Sequence, residues 1–425
     1  MNKISVIGFG KIGQAVAANI LAHNISVQAI DINRDLHDVF SSGGYKSTEP
    51  GLSELLNSAF NEKKLAISDD FLSARGSDAI IVSIPLLIDD QKKILEKPFL
   101  ETMKKLAPVL ENNTVIIIET SIPVGFSRNT VLPLVESMGK KHGEDFLLAH
   151  SPERIKSGTM MLQLARVPKV IGGISGQALE RARSVYKMFF AEELLYSTDS
   201  IEAAEMLKLA GMIYRDINIA LSNQLAQFAN TAGINFSDLI PLINTDGEAN
   251  LLQPGIGVGG HCTPVYPYFL IENFKKAELD FTLAREGRNI NNQMAAYAVS
   301  LVIGKLAKKK ALVLGLSFRP NVKEDSLSTT YVLNEVLLQS GFDVLVHDSE
   351  FTADEIKQKG LKAAKDIYET GCDVVFLVTM HQEYEVIDLD RLAAGGIKYF
   401  VDGRNSINKK KVSDAGMEYI GIGRF

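Results

Sequence analysis

The chain has 425 residues, of which 46% are hydrophobic and 23% charged, with no tryptophan. That length exceeds one ordinary domain and predicts two or three, each able to bury a core. A formal net charge of −6 argues against a general nucleic-acid binder, so an anionic ligand has to be met by local lysines and arginines. The two cysteines, Cys262 and Cys372, give no disulfide framework and fit a reducing compartment. The chain begins directly in a strand pattern, and no apolar run approaches the roughly 20 residues that span a bilayer. A cytoplasmic protein with no membrane partner is the expectation.

The apolar run Ile4–Ile7 ends in Gly8-Phe9-Gly10-Lys11-Ile12-Gly13 and continues with helical apolar spacing from Gln14 to Leu21. A second strand, Ser26 to Ile30, ends on Asp31. Strand, glycine turn, helix start, second strand and acid together form the dinucleotide-binding context: glycines let the pyrophosphate approach, the helix amino terminus meets its charge, and the acid takes ribose hydroxyls. Asp31 favours NAD, since its carboxylate repels the 2′-phosphate of NADP. Strand-like runs Asp78–Ile84 and Thr114–Glu119 lead into prolines. The ends at Ile84, Pro85, Thr120 and Ser121 then either edge the cofactor site or are plain strand-to-helix turns. Phe146–His150 reads as another strand, and Glu153-Arg154 beyond it as either a solvated ion pair or a pair facing a cleft.

From about Ser200 to Gly233 apolar residues recur every 3.6 positions without a proline, which predicts one long helix, bridging two domains and packing on a partner subunit. Helical patterning continues to about residue 300, broken by Gly255-Ile256-Gly257-Val258-Gly259-Gly260-His261-Cys262. That stretch is either a glycine-rich surface turn or a bared backbone with a thiol at its end. His261-Cys262 has no second ligand pair at recognised spacing, so no metal is expected. A basic run at Lys308 opens a strand ending in Gly315. A helix over Thr329–Gln339 and strands at Val344–Asp348, Asp373–Thr379 and Tyr399–Asp402 follow, suggesting a second nucleotide-type ligand.

The expected architecture is α/β, with two Rossmann-like doubly wound domains joined by a central helical region containing one long helix. The expected boundaries are an NAD-binding domain over 1–195, a central helical dimerisation domain carrying the thiol loop over 196–300, and a second Rossmann-like domain for the nucleotide-type ligand over 301–425.

The glycine fingerprint, Glu49-Pro50-Gly51-Leu52, Ser121-Ile122-Pro123-Val124-Gly125, Ser151-Pro152-Glu153-Arg154, Lys208 with Arg215-Asp216-Ile217-Asn218, the His-Cys loop, Gly315-Leu316-Ser317-Phe318-Arg319-Pro320-Asn321 and Asp402-Gly403-Arg404-Asn405 together resemble the UDP-glucose/GDP-mannose dehydrogenase family. The closest flavour is the prokaryotic UDP-N-acetylhexosamine dehydrogenases. The resemblance implies oxidation of a nucleotide-sugar C6 hydroxyl, with a UDP-sugar as substrate, to the uronate for surface polysaccharide or glycan precursors, with two NAD reduced in turn by a homodimer or higher oligomer.

It further implies that Cys262 is the nucleophile, because thiolate both attacks and leaves. By the same resemblance Lys208 stabilises the oxyanion, Glu153 orders or deprotonates water and Ser121 stands beside the nicotinamide. Gly8, Gly10, Lys11, Ile12, Gly13, Asp31, Ile84, Pro85 and Thr120 bind the cofactor, while Arg154, Arg215, Asn218, Gly257, Gly259, Arg319 and Arg404 bind substrate. The chain departs from the family at Met212, where asparagine helps bind the reacting oxygen, and at Tyr266, where an aspartate positions water. Ser326 replaces an arginine and Leu86 a threonine. A thioether donates no hydrogen bond, so two other outcomes stand beside the full oxidation: a relative limited to a two-electron step, and a non-catalytic nucleotide-sugar-binding paralogue.

Overall fold

The computed structural model describes residues 3–424. The chain divides into two units, one running to Gly211 and including Tyr268–Ala277, the other comprising Met212–Pro267 and the chain from Glu278 onward.

The first unit is built on β1 (Lys3–Ile7), β2 (Ser26–Ile30), β3 (Leu65–Ser68) and β4 (Ala79–Val82), a hairpin of β5 (Leu87–Ile88) and β6 (Ile94–Leu95), then β7 (Thr114–Ile118), β8 (Phe146–His150), β9 (Lys169–Gly173) and β10 (Leu195–Ser197). Apart from the hairpin they form one sheet in the order β10-β9-β8-β7-β4-β1-β2-β3. All residues of β4, β7 and β8 are buried, as expected of central parallel strands with helices on both faces. The chain steps outward from β1 to β3 and then returns to β4. The strand order therefore reverses between β1 and β4, the place where a doubly wound sheet opens a ligand crevice. The sheet is parallel except that β9 runs antiparallel to β8.

The second unit carries β11 (Lys310–Leu314), β12 (Asp343–His347), β13 (Val374–Leu377), β14 (Tyr399–Asp402) and β15 (Glu418–Gly421). They form a wholly parallel sheet ordered β12-β11-β13-β14-β15. The helix Thr329–Gln339 buries Leu333 and Leu337 against it in one apolar core with Val313, Val344 and Phe376.

The long helix forms as its periodicity predicts, over Ile201–Ala232, with the division between units inside it. Helices Phe236–Ile243, Tyr266–Lys276 and Thr282–Ser300 flank the glycine-rich segment. Strands β3, β9, β10 and β15 are not legible as apolar runs, because they are three to five residues long and mix polar with apolar side chains.

Candidate active site

In the first unit the fingerprint glycines have three separate steric reasons. Gly8 sits at φ 86°, and a Cβ there would lie 3.0 Å from the Ile84 side chain. A Cβ on Gly13 would stand 2.0 Å from the Gly8 carbonyl oxygen, so only glycine lets this helix pack on its strand turn. Nothing lies within 4 Å of where a Gly10 Cβ would be, and Gly10 caps the helix Lys11–Ala22 with no side-chain hydrogen bond and no acid in its first turn. Helix N–H groups and open space are thus left for a pyrophosphate. Asp31 is held by the backbone N–H groups of Phe9 at 2.6 Å and Asn33 at 2.9 Å. These residues fit a bound NAD. Thr120 is committed elsewhere: its hydroxyl donates to the Ile84 carbonyl at 2.6 Å and ties two strand ends together. Pro85 is exposed, while the Ser121 hydroxyl is buried with no hydrogen-bond partner. Lys11 is exposed on the first helical turn and Ile12 is half-buried.

Beyond β8, Glu153 is buried at the centre of a polar cluster. Its Oε1 accepts the Arg154 N–H at 2.7 Å and the Ile155 N–H at 3.2 Å, and its Oε2 accepts the Lys169 ammonium at 2.6 Å. Lys169 also lies 2.7 Å from Glu119 Oε1, which takes the Tyr186 hydroxyl at 2.5 Å. Burial alone would raise Glu153, but the Lys169 charge and hydrogen bond, the Arg154 N–H and the Lys208 charge together hold it below the usual carboxylate range. Burial pushes Glu119 up, with only part returned by Lys169. His150, fully buried with both ring nitrogens unpartnered, is held down to about 3 by burial and by the charges of Lys208 and Lys169. Arg154 donates to the Pro168 carbonyl. Sequence reasoning missed Lys169, Glu119, Tyr186 and His150. The available signal was a lysine standing directly before Val170 and Ile171, since a buried lysine demands a partner.

In the second unit the glycine-rich loop is bare chiefly because protein lies against it. A Cβ on Gly257 would come 2.8 Å from Thr329 Cγ2, one on Gly259 2.9 Å from Phe318 Cβ and the Leu327 carbonyl oxygen, and one on Gly260 2.9 Å from the Phe318 ring. The Gly260 N–H donates to the Ser326 carbonyl at 3.0 Å, so Ser326 straps the loop through its backbone. Where the sequence reading reserved the space at Gly257 and Gly259 for substrate, neighbouring chain occupies the side each Cβ would take. Beyond the loop, Cys262 is half-buried, with its Sγ 3.5 Å from the Tyr266 hydroxyl one helical turn on. Its carbonyl accepts the Val265 and Tyr266 N–H groups that start the helix Tyr266–Lys276.

The candidate substrate residues of this unit are not gathered as one set of free donors. Asn218 is spent on backbone, accepting from Leu252 N–H and donating to the Asn250 carbonyl, both at 2.8 Å. Arg319 pairs with Glu324 at 3.2 Å and lies 5.4 Å from the Phe318 ring centroid. Arg215 and Arg404 are exposed, and Gly255 leaves room for the Arg404 guanidinium, whose Nη1 would be 3.2 Å from a Cβ there.

The second sheet also repeats an acid-ended strand, with a different outcome. Asp348 is fully buried, accepting from the Leu316 and Ser317 N–H groups and from His381 Nε2 at 3.0 Å. The backbone donors of that turn are therefore consumed within the protein, and a Cβ on Gly315 would meet Thr379 at 2.6 Å. This turn lacks the open helix start seen at Gly10.

Three family models match the chain in order: the UDP-glucose/GDP-mannose dehydrogenase family NAD-binding domain over residues 2–190, its central domain over 202–293 and its UDP-binding domain over 312–409. The chain belongs to the UDP-glucose/GDP-mannose dehydrogenase family. Among this dehydrogenase's relatives, UDP-N-acetyl-D-mannosamine dehydrogenase of Methanococcus maripaludis is 32% identical, covering 92% of this chain and 88% of its own. The enzyme of that name from Pyrococcus horikoshii is 30% identical over 99% of both chains. A solved structure of UDP-D-ManNAc dehydrogenase from P. horikoshii superposes with a TM-score of 0.90 at 29% identity, covering 99% of each chain. That of UDP-N-acetyl-mannosamine dehydrogenase from Staphylococcus aureus gives 0.85 at 28%, covering 100% of this chain and 99% of the other.

The protein is therefore an NAD-dependent nucleotide-sugar dehydrogenase, in which NAD belongs to the first unit and a nucleotide sugar is the substrate. Among the described residues no helix is long and apolar enough to cross a membrane, and no cluster of three or more metal-type ligands occurs.

Proposed function

We infer that this dehydrogenase oxidises the C6 hydroxyl of a UDP-N-acetylhexosamine, with N-acetyl-D-mannosamine as the leading candidate, to the carboxylate in two steps. The relatives named above support that sugar. NAD, when bound, supplies the hydride acceptor for each oxidation. The chain's residues do the rest. The Cys262 thiolate adds to the C6 aldehyde to give a thiohemiacetal; loss of a hydride and a proton from this adduct leaves a thioester; water then cleaves the C–S bond, releasing the carboxylate and returning the thiol. Lys208 supplies positive charge to the oxyanion. Glu153 has both Oε1 lone pairs occupied by backbone N–H groups and one position left on Oε2, which suits it to orient water rather than to deprotonate it. Arg215 and Arg404 meet the diphosphate, and the uronate feeds surface-glycan synthesis.

The observation that carries this reading is the Tyr266 hydroxyl at 3.5 Å from Cys262 Sγ. The thiol thus keeps a polar neighbour although the expected aspartate is gone. We further infer a homodimer through the long helix, whose Tyr214, Leu221, Leu225 and Phe228 are exposed at heptad-like spacing. The test is to mix the protein with NAD and UDP-, GDP- and TDP-sugars and count NADH per sugar consumed. Two per UDP-N-acetylmannosamine, with uronate as product and none from Cys262→Ala, supports the reading. One per sugar limits the enzyme to the aldehyde, and binding without turnover across the panel makes it a binding protein.

A further inference from the structure

The interior of the first unit holds three charged side chains that the reaction scheme does not fully use. The Lys169 ammonium bridges Glu119 Oε1 and Glu153 Oε2, and the side chains of all three are at most 6% exposed. One ammonium cannot neutralise two carboxylates, and an unpaired buried charge is far costlier than a protonated acid. Lys208 adds its charge on the Glu153 side, so the acid left short of positive charge is the one that takes a proton. Geometry decides where it resides. Glu153 receives two backbone N–H groups besides Lys169, three donors that favour the anion. Glu119 receives only Lys169 and the Tyr186 hydroxyl on one oxygen, and its Oε2 is buried without a partner.

We propose that Lys169 is a positioning residue that keeps Glu153 ionised and oriented, while Glu119 carries the proton. The charged and titratable groups facing the cluster are Lys208 on the long helix, His150 at the end of β8, Tyr186 on the helix Gly176–Tyr186 and Arg154 on the loop after β8. The opposite raised and lowered positions of Glu119 and Glu153 agree with this division. Lys169 is further clamped over the Tyr186 and Phe190 rings, 5.1 and 5.8 Å from their centroids, so it has little freedom to favour one acid by swinging. The proposal rests on the reading of Glu153 as the group that orders water; the location of the proton does not.

Two measurements test it separately. In a Glu205→Gln background, which removes the other raised glutamate, infrared difference spectra of the whole protein with 13C-labelled glutamate should show a protonated-carboxyl stretch near neutral pH that disappears when Glu119→Gln is added. No such band in the Glu205→Gln protein, or a band that persists once Glu119→Gln is added, overturns the assignment without any turnover being needed. In pH profiles of NADH formation, Lys169→Met should move the acid limb to higher pH by about 1–3 units, the usual effect of losing an adjacent opposite charge. Lys169→Arg should bring it back toward the wild type. A Lys169→Met profile that overlays the wild type overturns the positioning role. If Lys169→Met does not fold, Lys169→Gln is measured in its place under the same criterion. If no sugar is turned over at all, the infrared result alone decides.

Discussion

The Tyr266 hydroxyl lies 3.5 Å from Cys262 Sγ, one turn along the start of the same helix. A phenol at this distance can donate a hydrogen bond to a thiolate or to an oxygen bonded to the carbon that the sulfur attacks, which a carboxylate cannot do. Tyr266→Phe should therefore slow NADH formation about tenfold, the size of one lost hydrogen bond to a charged group, with KM for the sugar little changed. Steady-state kinetics with the sugar that is turned over check this, and an unaltered kcat would remove Tyr266 from the chemistry.

Asp31 is oriented by two backbone N–H groups, those of Phe9 and Asn33. Asp31→Asn should weaken NAD binding by about tenfold and narrow the preference for NAD over NADP, since the charge that repels a 2′-phosphate is lost while the amide still offers one acceptor. Titration of both cofactors by calorimetry measures it. Unchanged discrimination would show that selectivity lies elsewhere in the turn.

Glu205 clasps the loop after β7, accepting the Gly125 N–H at 2.5 Å and the Ser127 N–H at 3.0 Å. Burial nonetheless outweighs these donors and pushes it from 4.5 up to about 7. A raised acid binds its proton more tightly in the folded state, so its stabilisation is complete below about 4.5 and is lost as pH rises to about 7. The full swing is about 3 kcal/mol from the size of that shift. Urea denaturation at pH 5 and pH 7.5 should show Glu205→Gln losing less stability across that window than the wild type. Parallel pH curves for the two proteins would contradict it.

Phe228 is 66% exposed, with Leu221 and Leu225 beside it on the long helix. If that stripe is the subunit contact, Phe228→Asp should convert the dimer to a monomer at micromolar concentration in analytical ultracentrifugation, with the far-UV spectrum retained. A wild-type protein that is already monomeric there would rule the stripe out as a stable interface.

Much of the framework was legible before any coordinates. The glycine fingerprint followed by Asp31, the acid-ended repeat at Asp348 and the proline-free run from Ser200 each carry their geometry locally, in φ freedom, helix period or strand alternation, so β1, β2, β11, β12 and the long helix could be read directly. Cys262 was legible for a similar reason, as a thiol closing a run of glycines. What escaped was whatever depends on residues far apart in sequence meeting in space. Lys169 reads as one charge in a short strand, and only the packing of β7, β8 and β9 brings it to Glu119 and Glu153. The glycines at 257, 259 and 260 announced a close approach without naming what approaches, and the structure supplies Thr329 and Phe318. Likewise Asp31 and Asp348 look alike in the chain. Their difference is tertiary: His381, brought from beyond β13, helps seal the second acid inside the protein, while the first stays at a helix start with open space beside it. Backbone stereochemistry and apolar period are local and survive in one dimension; partnering of buried charge is non-local and is decided only when the chain folds.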